Sequence, residues 1–292
     1  MAEILNPSTL NPSGERFWAV DKVVLAYLAL TGALIVGFWN RVPAAGFWFA
    51  VHVVCAALVV AAVKRPGRVN GVFHHWYPLL YVSICYREMS ILIPAIRGTD
   101  ADAELEHLDF LIWHAHPTVW LERIQSAPFT EFLQIVYSLF IPAVLFVAWR
   151  FWAQREFAAF RFYAFVIATG FLASYIGYFL VPARGPRFEL RHLQHAPLQG
   201  LWAFAILQSS LDRLESAAYD CFPSGHTELA ILAWWGSRKL SKPLSKVYFV
   251  YAVCIIFSTV YLRYHYTVDI AAGMLLAWLL ILATPPLYRR LS

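Results

Sequence analysis

The chain has 292 residues, 60% of them hydrophobic and 17% aromatic, with only 14% charged and a formal net charge of +5 at pH 7. A soluble domain carries about 25% charged residues. The composition therefore excludes a soluble globule, a disordered chain and a secreted disulfide scaffold, and it reads as one all-α polytopic transmembrane bundle. The basic residues cluster in short loops between apolar runs, which argues against nucleic acid as a partner.

In chain order, the first 22 residues are polar, contain Pro7 and Pro12, and lack the basic-then-apolar pattern of a secretory leader. Residues 1–22 are expected to form a flexible cytoplasmic tail, and 23–292 a single transmembrane domain. Apolar runs predict about eight membrane helices, at 23–39, 46–63, 76–96, 132–150, 162–182, 225–237, 247–263 and 268–287. His52, in the second run, is expected to hydrogen-bond within the bundle. The third run holds the adjacent pair Arg87 and Glu88, expected to be a bundle-facing ion pair. The sixth run is short, as if it begins inside a polar site. Cys55, Cys85 and Cys254 lie in apolar runs and Cys221 stands alone in a polar loop, so no disulfide framework is expected.

With the N-terminus inside, the inner segments hold fourteen Lys and Arg and the outer loops eight. That bias places both termini in the cytoplasm, as for an integral protein of the cell membrane, with the longest loops, 97–131 and 183–224, outside. The first outer loop carries Asp100, Asp102, Glu104, Glu106 and Asp109, then Trp113 and Trp120 as expected interface anchors. The second carries arginines and an amphipathic patch from Leu201 to Leu214.

Three polar clusters fall on the outer face: Pro182-Ala-Arg184-Gly-Pro186-Arg187, Phe222-Pro223-Ser224-Gly225-His226-Thr227, and Arg263-Tyr-His265-Tyr-Thr-Val-Asp269. Two helices and an inner loop separate His226 from His265, so both histidines return to one side. Arginine presents a planar fork of donors that matches phosphate oxygens. A Ser-Gly step at a helix start offers free N–H groups and the positive end of the dipole. His265 and Asp269 are spaced i,i+4, so on a helix the carboxylate would reach one ring nitrogen and leave the other as nucleophile. His226 is then free to protonate a leaving oxygen. Taken singly, such residues usually serve as satisfied interface histidines, headgroup anchors or a helix cap. Their joint arrival on one face favours a site for a phosphate ester. His74, His75, His114, His116, His192 and His195 are read as polar loop or interface residues.

Phe-Pro-Ser-Gly-His followed by His-Tyr-Thr-Val-Asp resembles the second and third signatures of the type 2 phosphatidic acid phosphatase superfamily. The wording of Pro182–Arg187, with Tyr261-Leu-Arg-Tyr-His-Tyr, is closer to its inositol phosphorylceramide synthase branch, the inositolphosphotransferases. The resemblance covers about residues 105–287 and implies a six-helix catalytic core. It implies His265 as the nucleophile that forms a phosphohistidine, Asp269 as its orienter and His226 as the general acid. Arg184, Arg187, Ser224 and Gly225 would hold the phosphate, with no metal and no cofactor. Two signature positions depart: the superfamily's first-signature lysine falls on Gly177, and the arginine six residues before the histidine falls on Thr259. Arg187 and Arg263 are the candidates to supply that charge.

The expected substrate is an amphiphilic lipid phosphate or phospholipid, met at headgroup depth and passed to water or to an acceptor alcohol. Two rivals stay open on the residues alone. One is a metal-dependent membrane hydrolase with His226, His265 and Asp269 as ligands. The other is a non-catalytic protein that binds or transports lipid headgroups.

Overall fold

Backbone N–H and C=O groups in lipid must pair within their own segment, so each apolar run becomes a helix. The computed structural model describes residues 17–64, 68–214 and 219–292, and the regular structure among them is all helical, with no strand. Residues 1–16 of the expected tail, and Arg65 of the first inner loop, lie outside the described residues.

Among the described residues, six helices are long and apolar enough to cross a membrane: α1 (Ala19–Gly37), α2 (Ala45–Lys64), α3 (Arg68–Ile96), α8 (Phe157–Leu180), α12 (Lys242–Tyr261) and α13 (Thr267–Leu291). The fourth predicted run is a bent pair, α6 (Ala127–Ser138) and α7 (Phe140–Ala153), which meet at 46° and together make a seventh candidate crossing. The sixth run is α11 (Gly225–Ser237), with 13 residues. At 1.5 Å per residue it spans about 20 Å, short of the roughly 30 Å hydrocarbon core. Among the described residues the eight predicted runs are thus six long helices, one bent pair and one short, buried helix that starts at the site. Between them lie α4 (Asp102–Trp113), α5 (Pro117–Trp120), α9 (Pro186–Glu189) and α10 (Phe204–Leu214).

The central element is α8, against which α1, α3, α7, α11 and α13 all pack. Its small residues Gly170, Ser174 and Gly177 recur at three- and four-residue spacing, which lets α11 approach closely. Glu88 is buried against His52 of α2, with His52 Nε2 3.1 Å from Glu88 Oε1. An adjacent pair on a helix points in different directions, so the bundle-facing charge finds its partner on another helix. His52 is hydrogen-bonded within the bundle as expected, to Thr31 Oγ1 and to the Trp48 carbonyl, both at 2.8 Å.

Candidate active site

The three motifs meet at one end of the bundle and are joined through their backbones. Ser224 N–H donates to the Asp269 carbonyl at 3.0 Å, and Cys221 N–H to the Ala183 carbonyl at 3.1 Å. Two carboxylates on one face of α4 complete the frame. Asp102 accepts from the N–H groups of Arg184 (2.6 Å) and Gly185 (2.8 Å) and from the Tyr266 hydroxyl (3.1 Å). Gly185 sits at φ +95°, a conformation glycine adopts without steric cost. Asp109 accepts from the N–H groups of Thr267 and Val268, both at 3.0 Å, and from Thr267 Oγ1 at 2.7 Å, so it caps α13.

Asp102 and Asp109 are the functional residues that the sequence reading missed. They appeared only as members of an acidic stretch. Their spacing with Leu105, at i, i+3 and i+7, marks the buried face of a helix and is the signal that would have found them.

Ser224 caps α11 and accepts from Thr227 N–H at 3.3 Å. Gly225 opens the helix in close contact with α8. A Cβ there would lie 2.4 Å from the Tyr178 hydroxyl. The N-terminus of α11, the positive end of its dipole, therefore opens beside His226, an arrangement that favours an anion.

The His265–Asp269 pair differs from the sequence expectation. The helix begins at Thr267, so His265 precedes it rather than sharing its face. Nδ1 stands 3.5 Å from Asp269 Oδ2, longer than an ordinary N–H···O hydrogen bond. That oxygen already accepts from Tyr266 N–H at 2.8 Å and from the Cys221 thiol at 2.8 Å. Asp269 thus closes the first turn of its own helix as well as facing the imidazole. The thiol was unforeseen, because a single loop cysteine carries no periodic signal. Burial pushes the Cys221 thiol well above its usual range, and the nearby carboxylates of Asp269, Asp102 and Asp220 push it further.

His226 lies 5.8 Å from His265 between ring centroids, with the rings inclined at 62°. The bend at Leu139 sends Tyr137 and Phe140, on either side of it, onto the His226 ring, each at 4.4 Å. Tyr137 also stacks on Tyr264 at 4.4 Å, so one aromatic stack links both histidine-bearing segments.

The arginines divide. Arg184 and Arg187 both lie 4.7 Å from the Phe188 ring, and Arg187 is also 5.1 Å from Tyr264, beside His265. Arg263 turns elsewhere. It is buried and donates to Glu122 Oε1 and Gln194 Oε1, each at 2.9 Å, and to the Ala196 carbonyl at 2.7 Å. The structure does not bring Arg263 to the phosphate holders, because its fork is spent on tying two loops together. The two departing signature positions have physical reasons. A side chain at 177 would meet the Pro223 ring at 2.3 Å, so α8 has no room for a lysine there. Thr259 is fully buried, and its carbonyl accepts from the N–H groups of Tyr264 (2.9 Å) and His265 (3.1 Å).

Fold and site together define a polytopic helical membrane protein with two histidines, a carboxylate and a pair of arginines gathered at one end of the bundle. The chain belongs to the PAP2 superfamily, whose family model matches residues 103–283, from α4 through most of α13. It is 30% identical over 115 residues to a PA-phosphatase related-family protein of Dictyostelium discoideum, covering 36% of this chain and 21% of the relative. The chain therefore spans about a fifth of that relative's length. No solved structure matches it.

Proposed function

We propose that the protein is a membrane-embedded lipid phosphatase or phosphotransferase that works through a phosphohistidine on His265. Family membership and the phosphatase-related name of the Dictyostelium relative support a lipid phosphate ester as substrate. The observation that carries the reading is the placement of His226 and His265, 5.8 Å apart, beside the open N-terminus of α11.

Because Nδ1 of His265 faces Asp269 and Cys221, Nε2 is the nitrogen left to attack. Its lone pair forms the N–P bond as the ester P–O bond breaks, and protonated His226 gives its proton to the leaving oxygen. Water or an acceptor alcohol then attacks phosphorus. The N–P bond breaks and His226 takes the acceptor's proton. Arg184, Arg187, Ser224 and Gly225 hold the phosphoryl oxygens, in surroundings where exclusion of water strengthens each contact. The site works from the extracytoplasmic face, where lipid headgroups are met. The likeness of Pro182–Arg187 and Tyr261–Tyr266 to the inositolphosphotransferases supports transfer to a polyol as the reaction of this chain.

The test is purified protein with a panel of lipid phosphates and phospholipids, with and without acceptor alcohols, reading released phosphate and new lipids together. His265→Ala should abolish turnover and phosphate labelling. His226→Ala should be nearly inactive with lipid esters yet retain labelling from a nitrophenyl phosphate, whose leaving group needs little protonation. Equal labelling of His265→Ala and wild type would overturn the mechanism.

A further inference from the structure

Three different donor atoms converge behind His265. Cys221 Sγ is 3.6 Å from His265 Nδ1 and 2.8 Å from Asp269 Oδ2, and Nδ1 and Oδ2 are 3.5 Å apart. A tetrahedral zinc ion held at about 2.3 Å from sulfur and about 2.0–2.2 Å from nitrogen and oxygen has ligand-to-ligand edges of about 3.3–3.6 Å. Two of the three edges already have that length. The third is shorter because the thiol proton bridges it, and loss of the proton lets it open. The other Asp269 oxygen, Oδ1, is buried without a hydrogen-bond partner, so the carboxylate has a second lone-pair site to offer. The charge of the Asp269 carboxylate favours a divalent cation at this point.

We propose that Cys221, His265 and Asp269 form an inhibitory site for a thiophilic divalent cation such as Zn²⁺. On binding, the thiol proton passes to solvent and lone pairs of Sγ, Nδ1 and Oδ2 go to the metal, with no change of oxidation state. Coordination needs Nδ1 free of its proton. The neutral ring then carries its proton on Nε2, the tautomer that cannot attack phosphorus. Binding switches the nucleophile off without blocking the phosphate holders. The inhibition rests on the reading of His265 as nucleophile; the binding itself does not.

Cd²⁺ is the probe, because a thiolate–cadmium bond gives an ultraviolet charge-transfer band. The full-length protein in detergent should develop that band at one equivalent, and so should a variant with Cys55, Cys85 and Cys254 all changed to Ala. Cys221→Ser, which keeps a donor for Asp269, should lose the band. Asp269→Asn should bind at least about 100-fold more weakly, since even partners of metal ligands are worth 10–100-fold in affinity. Zn²⁺ should inhibit turnover of a lipid phosphate by wild type at the concentrations that displace Cd²⁺. A band that survives in Cys221→Ser, or no band in folded wild type, overturns the site. Active protein that binds no Cd²⁺ defeats this inference alone. Protein that binds Cd²⁺ but turns over no phosphate ester defeats the proposed function and leaves the site standing.

Discussion

The N–H of Ser224 donates to the carbonyl of Asp269 at 3.0 Å, so the turn that opens α11 is tied to the first turn of α13. Gly273, one turn further along, lets the helices meet: a Cβ there would lie 2.5 Å from the Ser224 carbonyl oxygen. Gly273→Ala is expected to lower thermal stability and remove most activity, because backbone cannot swing aside and overpacking costs about 1–3 kcal/mol. Gly225→Ala clashes with the Tyr178 hydroxyl, 2.4 Å away, and makes ordinary contact with Ser174 Oγ at 3.5 Å. Adding Tyr178→Phe should recover much of that loss and should recover nothing for Gly273→Ala. A thermal-melt double-mutant cycle checks both; equal behaviour of the two glycines would refute the account.

Arg263 and Arg187 should part ways on substitution. Arg263→Ala takes the guanidinium from a largely buried Glu122, which keeps the His195 N–H, and should cost about 1.5–3 kcal/mol of stability. Arg187→Ala, which loses contacts to Phe188 and Tyr264, should lower kcat/KM by about 10–100-fold, the worth of a charged hydrogen bond of about 1.5–3 kcal/mol, and by more than its loss of stability accounts for. Melting temperature and kcat/KM measured on the same preparations decide. Loss of activity without loss of stability in Arg263→Ala would return it to the phosphate holders.

Activity should fail in acid before the fold does. Burial raises the Asp102 carboxyl above its usual range, against the lowering effect of the Arg184 and Gly185 N–H groups and the Tyr266 hydroxyl. A raised folded-state pKa means that the folded protein takes up this proton more readily than the unfolded chain. Asp102 therefore adds to stability below the unfolded pKa, near 3.9, and that contribution is lost as pH rises through the folded pKa. The turn it organises needs the ionised form. Lipid-phosphate turnover should accordingly fall at a pH above about 3.9 while circular dichroism stays unchanged. Asp102→Asn should be impaired at neutral pH and lack that acid limb. An acid limb that persists unaltered in Asp102→Asn would rule out this carboxylate as its source.

Orientation follows from loop charge. A reporter fused after Arg290 is expected in the cytoplasm, and one inserted near Gly200 outside. A cytoplasmic signal from the Gly200 reporter would move the site to the other leaflet.

Hydropathy, being additive along the chain, was enough by itself to establish a helical membrane bundle and to place its main runs within a few residues. Motif wording likewise marked His226, His265, Asp269, Arg184 and Arg187 before any geometry was known. What the tertiary structure decided depends on direction rather than composition. The run at 132–150 carries one mark of its 46° bend, Pro142, whose ring disfavours a continuous helix through the preceding turn, but it does not say what the bend presents, here Tyr137 and Phe140 to His226. Arg263 looked like a phosphate holder because it stands beside His265 in sequence. Only the folded chain shows its fork turned onto Glu122 and Gln194, 141 and 69 residues away. The spacing of Asp102 and Asp109 marks a buried helix face but not what that face touches, and Cys221, a single loop cysteine, carries no periodic signal at all. Local physics determined the helices and the reactive residue types, whereas the partners of each polar group were chosen by packing.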